Sequence, residues 1–253
     1  MTLQGGSGDD SGGAIFNQGT LKVSNSTLSD NSAGAGGGIS NNGGTVTISN
    51  STLSGNSAYH GGGVFNNDGT VTVSTSKLTG NSAMTYTSLI YGGHLTFGGM
   101  GGGIYNYTGT LTISNSTLSD NSAAVEGGGI YNGSGTAKVS NSSTLSDNSA
   151  AEGGGIFNNG GTLTINNSTL SGNSAYYGGG IYIDGGTVTV STCKVTGNSA
   201  HNYTTNITTY DGGMGGGIFV YAGTLTVNNS DFENNSPDNI DGTYADDGGN
   251  TGL

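Results

Sequence analysis

The fold is decided by a repeated stretch whose clearest copy, at residues 153–175, reads GGGIFNNGGTLTINNSTLSGNSA. Eight copies align on the Ile or Val that follows the glycines, and most successive copies are 24 to 26 residues apart. Two longer steps contain insertions. The aligned positions are Ile15, Ile39, Val64, Ile104, Ile130, Ile156, Ile181 and Ile218. A fixed period of this size is typical of repeat architectures.

Apolar residues alternate with Thr and Ser within each copy, which is the period-2 pattern of a strand with one buried face. Gly- and Asn-rich joints separate these strands, because Gly and Asn accept the positive φ of tight turns at little cost. Three strands and three turns in about 25 residues predict one triangular coil of a solenoid whose coils stack at ~4.8 Å. A column of Asn, one in every copy, predicts a buried amide ladder at a corner. Its members are Asn31, Asn56, Asn81, Asn121, Asn148, Asn173, Asn198 and Asn235.

The chain is therefore expected to be all-β, a parallel β-helix of about eight to nine coils. Residues 1–11 are a lead-in, residues 12–236 the β-helix, and residues 237–253 an acidic partial coil or tail. Two apolar loop insertions, residues 84–100 and 201–214, enter at one corner, and loops on a rigid scaffold often carry function. Neither end has an amphipathic capping helix, so end-to-end self-association is a further expectation.

The composition restricts the partners of the chain. Its 253 residues include 53 Gly, four Lys, no Arg and 16 acidic residues, and the net charge is −12. A phosphate backbone would be repelled, so nucleic acid is excluded as a partner. No apolar run is long enough to span a bilayer, so this segment is not expected to insert into a membrane. Cys193 is single and is expected to be a buried thiol rather than part of a disulfide.

Two short motifs resemble those of a known family. Gly12-Gly13-Ala14-Ile15 and Phe232-Glu233-Asn234-Asn235 are similar to the paired GGA-aliphatic and FxxN motifs of the polymorphic membrane protein family. The other copies carry looser forms, and the resemblance extends over residues 12–236. It implies a right-handed β-helix of the autotransporter-passenger type, which acts as an adhesin. The expected location is extracellular or at the cell surface, and the expected partner is a protein or glycan on a host or neighbouring cell.

The first candidate surface is an aromatic stripe, because a ring follows the core Ile or Val in seven of the eight copies. If the Ile points inward, the rings point outward and form either a self-stacked ladder or a groove for a sugar or a protein. With rings of the first insertion, the predicted ligand surface consists of Phe16, Phe65, Tyr86, Tyr91, Phe97, Tyr105, Tyr131, Phe157, Tyr182 and Phe219.

The second candidate surface is a pair of Thr rows on another strand, which resembles the ice-binding face of β-solenoid antifreeze proteins. Its members are Thr45, Thr47, Thr70, Thr72, Thr110, Thr112, Thr162, Thr164, Thr187, Thr189, Thr224 and Thr226. Lys22 and Lys138 replace Thr in two coils, which indicates that this row faces water. The alternative is that Thr is simply a polar residue that favours strands.

The third candidate surface is acidic. Glu126 and Glu152 precede successive Gly triplets, and Asp120 and Asp147 share the next corner. Two carboxylates one coil apart repel each other, which raises the pKa of one of them or attracts Ca²⁺. These four acidic residues are therefore weak candidates for a calcium site, and no other cofactor is expected.

The expected function is a non-catalytic adhesion or structural module, with ice binding as the main alternative. A polysaccharide lyase or glycoside hydrolase is a weaker alternative. Lyases of the pectate-lyase type combine such acids with Ca²⁺ and an Arg that this chain does not contain.

Overall fold

The computed structural model describes residues 1–90, 93–204, 209–210 and 212–253. Throughout these residues the regular secondary structure is β-strand. Strands of successive coils pair in parallel and in register, so that Val64 pairs with Ile104 and Ile104 with Ile130. The chain is a right-handed parallel β-helix of about nine turns, which confirms the predicted fold.

The longest sheet has 16 strands and is formed by two strands of each coil. The Ile sheet contains Ile15–Asn17, Ile39–Asn42, Val64–Asn67, Ile104–Asn106, Ile130–Asn132 and Ile156–Asn158. The Thr sheet contains Thr20–Ser24, Thr45–Ser49, Thr70–Ser74, Thr110–Ser114, Thr136–Ser140 and Thr162–Asn166. In later coils the long strands Ile181–Ser191 and Ile218–Asn228 run through both and join them, and Ile240–Asp241 and Ala245–Asp246 pair with the last.

The remaining strands of the β-helix belong to a Leu sheet and to a set of Ser-Ala strands. The nine-stranded Leu sheet contains Thr2–Gln4, Thr27–Ser29, Thr52–Ser54, Lys77–Thr79, Thr117–Ser119, Thr144–Ser146, Thr169–Ser171, Lys194–Thr196 and Asp231–Glu233. The Ser-Ala strands are Ser7–Ser11, Ser32–Ala35, Ser57–Ala58, Ser82–Ala83, Ser122–Ala123, Ser174–Ala175 and Ser199–Ala200. Most of the earlier coils thus have four strands rather than the predicted three, whereas between Thr144–Ser146 and Ile156–Asn158 only single bridges of Ser149 replace the Ser-Ala strand. The fourth strand was missed because two residues are too few to show alternation in the sequence.

Both insertions contain antiparallel hairpins, where the sequence predicted loops. In the first, Thr85–Ile90 pairs with Gly93–Gly98, and Tyr86 is opposite Phe97. In the second, Tyr203–Thr204 pairs with Thr209–Tyr210. Each insertion follows directly on a Ser-Ala strand, so both leave the β-helix at equivalent points.

The core runs along the axis of the β-helix, and most coils contribute four aliphatic side chains to it. In one central coil these are the fully buried Ile104, Leu111, Ile113 and Leu118. Burying one such side chain contributes about 1.5–3 kcal/mol. Cys193 belongs to this core as predicted, and burial raises the pKa of its thiol to about 11.

The predicted Asn column forms a buried amide ladder after the Leu sheet. Asn121 Nδ2 donates to Asn148 Oδ1 at 2.9 Å and to the carbonyl of Leu78 at 3.0 Å. Asn121 Oδ1 accepts from the backbone N–H and from Nδ2 of Asn81, at 3.0 and 2.9 Å. Each amide therefore bonds to both neighbouring coils, which satisfies its polar atoms away from water.

A second amide ladder, not predicted from the sequence, lies at the end of the Ile sheet. Successive Nδ2 and Oδ1 atoms are 2.7–2.8 Å apart in Asn17, Asn41, Asn66, Asn106, Asn132 and Asn158. The ladder stops at Asn158 because the next two coils have Ile183 and Val220 at this position. One continuous strand passes the corner there, so no turn requires an amide.

Replacing Asn121 with Ala is expected to lower the free energy of unfolding by about 3–5 kcal/mol, because it leaves buried partners in three other residues unpaired. Denaturant titration followed by circular dichroism measures the change. Asn42→Ala is the control, since Asn42 is exposed, and it should change stability by about 0.5 kcal/mol or less. Equal losses in the two variants would contradict a structural role for the ladder.

Candidate functional site

The aromatic stripe forms a stacked ladder on the outer face of the Ile sheet. Ring centroids are 4.6 Å apart for Tyr105 and Tyr131, 5.5 Å for Tyr131 and Phe157, and 4.9 Å for Phe157 and Tyr182. The planes of these pairs differ by 3° to 9°. The four residues are only 7, 5, 2 and 7% exposed, in chain order, so the ring faces cover one another.

The ladder ends are more open. Phe65 and Phe219 are partly buried against the ladder. Phe16 is exposed because its partner in the next coil is Ser40, which separates it from the ring of Phe65. The predicted stripe is therefore a second hydrophobic cluster outside the main core. Its ring faces are not free to stack on a sugar along most of its length.

Two rows of side chains border the ladder. One row precedes the glycines and contains His60, Met100, Glu126, Glu152, Tyr177 and Met214, which pair from coil to coil through single bridges. The other row lies two residues after each ring and contains Asn67, Tyr107, Gly133, Asn159, Asp184 and Tyr221. Residues two apart in a strand point to the same face, so the second row was readable from the sequence but was not predicted.

The second row contacts the ladder directly. Asn159 Nδ2 donates to the hydroxyl of Tyr131 at 2.9 Å. Tyr107 stacks beside Tyr105 with the ring centroids 6.1 Å apart, and Tyr221 stacks beside Tyr182 at 6.5 Å. Both of these outer rings are well exposed, so they form walls at the two ends of the central ladder.

The three carboxylates beside the ladder are electrostatically coupled. Burial, together with repulsion from Glu152 and Asp184, raises the pKa of the Glu126 carboxyl to about 7. Burial and the charge of Asp184 also raise the pKa of Glu152. Burial raises the pKa of Tyr182, and the charges of Glu152 and Asp184 raise it further. The negative charges of Glu152 and Asp184 therefore act both on the Glu126 carboxyl and on the Tyr182 hydroxyl.

A recess of about 290 Å³ lies at the other end of the ladder. It is lined by His60, Phe65, Asn67, Tyr105 and Tyr107. The His60 ring packs 5.3 Å from Tyr105, and its Nδ1 atom is buried without a hydrogen-bond partner in the described part of the chain. Burial lowers the pKa of this imidazole, so a neutral ring is favoured.

The first hairpin carries an exposed apolar cluster, the hairpin patch, which consists of Tyr59, Met84, Tyr86, Leu95 and Phe97. The Tyr86 ring packs between the other two rings, tilted against Tyr59 at a centroid distance of 4.5 Å and stacked on Phe97 at 5.4 Å. Met84 and Leu95 are 48 and 51% exposed. Tyr86 and Phe97 were predicted as surface residues, whereas Tyr91 lies outside the described residues.

The Thr rows lie in register on the outer face of the Thr sheet, as their alternation with buried residues requires. Thr20, Thr45, Thr70, Thr110, Thr136, Thr162, Thr187 and Thr224 form an unbroken exposed row. The parallel row is Lys22, Thr47, Thr72, Thr112, Lys138, Thr164, Thr189 and Thr226. Rungs are ~4.8 Å apart and the rows ~6.6 Å apart, from strand geometry.

The acidic calcium candidates fall into two different settings. Asp120 and Asp147 are exposed turn residues, both with φ of 57°, which is a conformation that Asp tolerates better than most residues. Glu126 and Glu152 instead border the ladder. Among the described residues, no group of three or more His, Cys, Asp or Glu is arranged to hold a metal ion. The same part of the chain contains no helix that could cross a membrane.

Comparison with known families identifies one of the repeats. Residues 115–133 match the family model of the Chlamydia polymorphic membrane protein repeat. This segment of 19 residues leads from the Leu sheet to the Ile sheet and includes Glu126 and Tyr131. The chain thus resembles polymorphic membrane proteins in repeat and in fold, and the match indicates a surface-associated β-helix of the autotransporter type. No curated protein and no solved structure matches the chain.

Replacing Glu126 with Gln is expected to stabilise the protein at alkaline pH. The pKa of Glu126 is about 7 in the folded state and 4.5 in its ordinary state, so the folded state binds the proton more tightly. Proton binding by Glu126 therefore contributes fully to stability below pH 4.5, and this contribution is lost as the pH rises through about 7. At pH 8 the variant should gain about 1–2 kcal/mol, after allowance for solvent screening at a half-buried site.

Denaturant titrations of both proteins at pH 4 and pH 8 measure this difference, which should nearly vanish at pH 4. Asp147→Asn removes a charge from an exposed turn and serves as the control. A gain of equal size at both pH values, or a loss at pH 8, would show that the Glu126 carboxylate is not destabilised by its surroundings.

Proposed function

We propose that the chain is a non-catalytic module at the cell surface that adheres to a protein or glycan of a neighbouring cell. The observation that carries this proposal is the hairpin patch, a cluster of exposed rings and aliphatic side chains held on a rigid β-helix. Contiguous exposed apolar surface is costly in water and marks contact sites in soluble proteins. The resemblance to polymorphic membrane proteins agrees with a surface role.

The hairpin patch is held in place before any partner binds. Met84 N–H donates to the carbonyl of Ala58 at 2.8 Å, and Gly99 N–H donates to the carbonyl of Tyr59 at 2.8 Å. Both ends of the insertion are thus tied to the preceding coil. A preorganised surface loses less conformational entropy on association, which favours affinity.

Tyr86→Ser is expected to reduce adhesion of the purified, fluorescently labelled chain to whole cells by about tenfold, because a large stacked ring in a contact surface contributes about 1–2 kcal/mol or more. Tyr244→Ser is the matched control, since the two tyrosines are 40 and 37% exposed and Tyr244 lies at the C-terminal end. Flow cytometry on a panel of bacterial and host cells measures binding. Equal binding by both variants, or no binding of the unaltered chain to any cell, would refute the proposal.

A second function, ice binding, is supported by the Thr face. Eight exposed Thr form one unbroken row in which every Thr has the same backbone setting, and a parallel row beside it has Thr in six coils and Lys22 and Lys138 in the other two. A surface that repeats at fixed spacing can match a crystalline ligand, whereas adhesion to a protein does not require such regularity.

Thr110→Tyr is expected to abolish thermal hysteresis, because a large ring in the middle of the unbroken Thr row prevents close contact with a flat ice surface. Thr169→Tyr, on the outer face of the Leu sheet, should leave it unchanged. Nanolitre osmometry of the three proteins is the measurement. A lack of hysteresis in the unaltered chain would reject ice binding directly.

A further inference from the structure

The recess at the His60 end of the aromatic ladder has the form of a small ligand site. It lies between two coils, with Phe65 and Asn67 in one coil and Tyr105 and Tyr107 in the next. His60 borders it from the row that precedes the glycines. Its volume of about 290 Å³ is close to the lower end of the range for small-molecule sites, about 300–1,000 Å³. This feature, the His60 recess, is therefore large enough for one ring-sized ligand.

His60 supplies a hydrogen-bond donor to the recess. Its Nδ1 atom is enclosed without a hydrogen-bond partner in the described part of the chain, whereas its Nε2 atom is not enclosed. Buried N–H groups without an acceptor are rarer in proteins than acceptors with unused capacity, so the proton of the neutral imidazole is assigned to Nε2. The Nε2–H group is thus the donor that the recess contains.

Packing alone does not account for a histidine at this position. The neighbours of His60 in its row are Ala35 and Met100, which are both apolar. A buried nitrogen without a partner lowers stability, so an apolar residue would suit the position better. A polar group that is kept at a cost to stability is a feature of functional sites.

Tyr107 supplies a ring face that the ladder does not cover. Its row has Asn67 in the preceding coil and Gly133 in the following coil, so neither neighbour places a ring over it. The Tyr107 ring lies beside that of Tyr105, with the centroids 6.1 Å apart and the planes 20° apart. Tyr107 is 49% exposed, whereas Tyr105 is 7% exposed. The Tyr107 ring can therefore pack its face against a ligand, which the buried ladder rings cannot do.

Asn67 supplies an acceptor from the opposite border of the ladder. Its Nδ2 atom donates to Oδ1 of Asn42 in the preceding coil at 3.1 Å, which holds the amide in one orientation. Its Oδ1 atom accepts no hydrogen bond from the residues that the structure describes. A donor from His60 and an acceptor from Asn67 thus border the recess from its two sides.

The lining of the recess favours a neutral ligand with several hydroxyl groups. Burial lowers the pKa of His60, so all five lining residues are uncharged, and the net charge of −12 repels anions. An aromatic side chain carries a single polar group and would leave either His60 or Asn67 unpaired after water is displaced. A sugar ring has an apolar C–H face and hydroxyls that both donate and accept.

We propose that the His60 recess binds one neutral pyranose unit of a glycan. The C–H face of the sugar packs against the Tyr107 ring. The Nε2–H group of His60 donates to one sugar hydroxyl, and Asn67 Oδ1 accepts from another. The recess shares no residue with the hairpin patch, so this proposal and the proposed adhesion through that patch can fail separately.

Isothermal titration of the full chain with the methyl glycosides of glucose, galactose, mannose and N-acetylglucosamine tests the proposal. We expect saturable binding of at least one of them, with a dissociation constant on the order of 1 mM for so small a ligand. Tyr107→Ala should weaken this binding about tenfold, because the packing face is lost. Tyr221→Ala is the matched control and should keep the affinity, since it removes an exposed ring from the same row at the other end of the ladder.

His60→Phe separates a binding role from a structural one. The phenyl ring keeps the packing against Tyr105 and removes the buried nitrogen, so denaturant titration should show equal or higher stability. Sugar binding should nevertheless weaken about fivefold, because the donor is lost. Tyr86→Ser, which tests adhesion through the hairpin patch, should leave sugar binding unchanged, so the failure of one proposal is distinguishable from that of the other.

Three results would overturn the proposal. The first is a lack of saturable binding for all four glycosides. The second is equal weakening in Tyr107→Ala and Tyr221→Ala, which would mean that the sugar packs on exposed rings without regard to the recess. The third is unchanged sugar affinity in His60→Phe, or a loss of stability in that variant, which would make the imidazole a structural residue.

Discussion

The structure depends on the close, in-register contact between glycines of successive coils. Gly102 N–H donates to the carbonyl of Gly127 at 3.0 Å, and Gly103 N–H donates to that of Gly128 at the same distance. A Cβ added to Gly102 would lie 2.4 Å from the Gly128 oxygen, so no other residue fits without a backbone shift. Because this contact sets each coil directly on the next, most side chains of the β-helix meet their equivalents in the neighbouring coils.

Such stacking has different consequences for different side chains. An amide both donates and accepts, so the Asn ladders gain a hydrogen bond at each coil. Aromatic rings gain contact with their neighbours, as Tyr105 and Tyr131 do. Carboxylates gain nothing and repel, and their row has only two, Glu126 and Glu152, before another residue type follows.

Much of this could be predicted, because a repeat places equivalent residues in equivalent positions. The core Ile column and the Asn121 ladder follow from periodicity alone. The periodicity left two alternatives for the aromatic stripe, a self-stacked ladder or an open groove, and the structure has the ladder. The hydrogen bond from Asn159 to Tyr131 did not follow from the periodicity, because no other copy in the described part of the chain has it. The hairpin patch was predicted only in part, through Tyr86 and Phe97, because the insertion has no second copy with which to align and the places of Tyr59, Met84 and Leu95 beside these rings could not be read from the repeat. The coupling of Glu126 to Asp184 crosses the ladder and required the three-dimensional arrangement.

The way in which the insertions leave the coil has a consequence for how this scaffold can change. At the first, the chain departs after Met84 bonds to Ala58 and rejoins where Gly99 bonds to Tyr59; at the second, His201 bonds to Ala175 and Gly213 to Tyr176. Both excursions begin and end on the same rung, so the hairpin between them contributes nothing to the winding of the rod. Segments of different sequence and length can therefore be inserted or deleted at this corner. The coils themselves, and the residues on the other faces of the β-helix, stay the same.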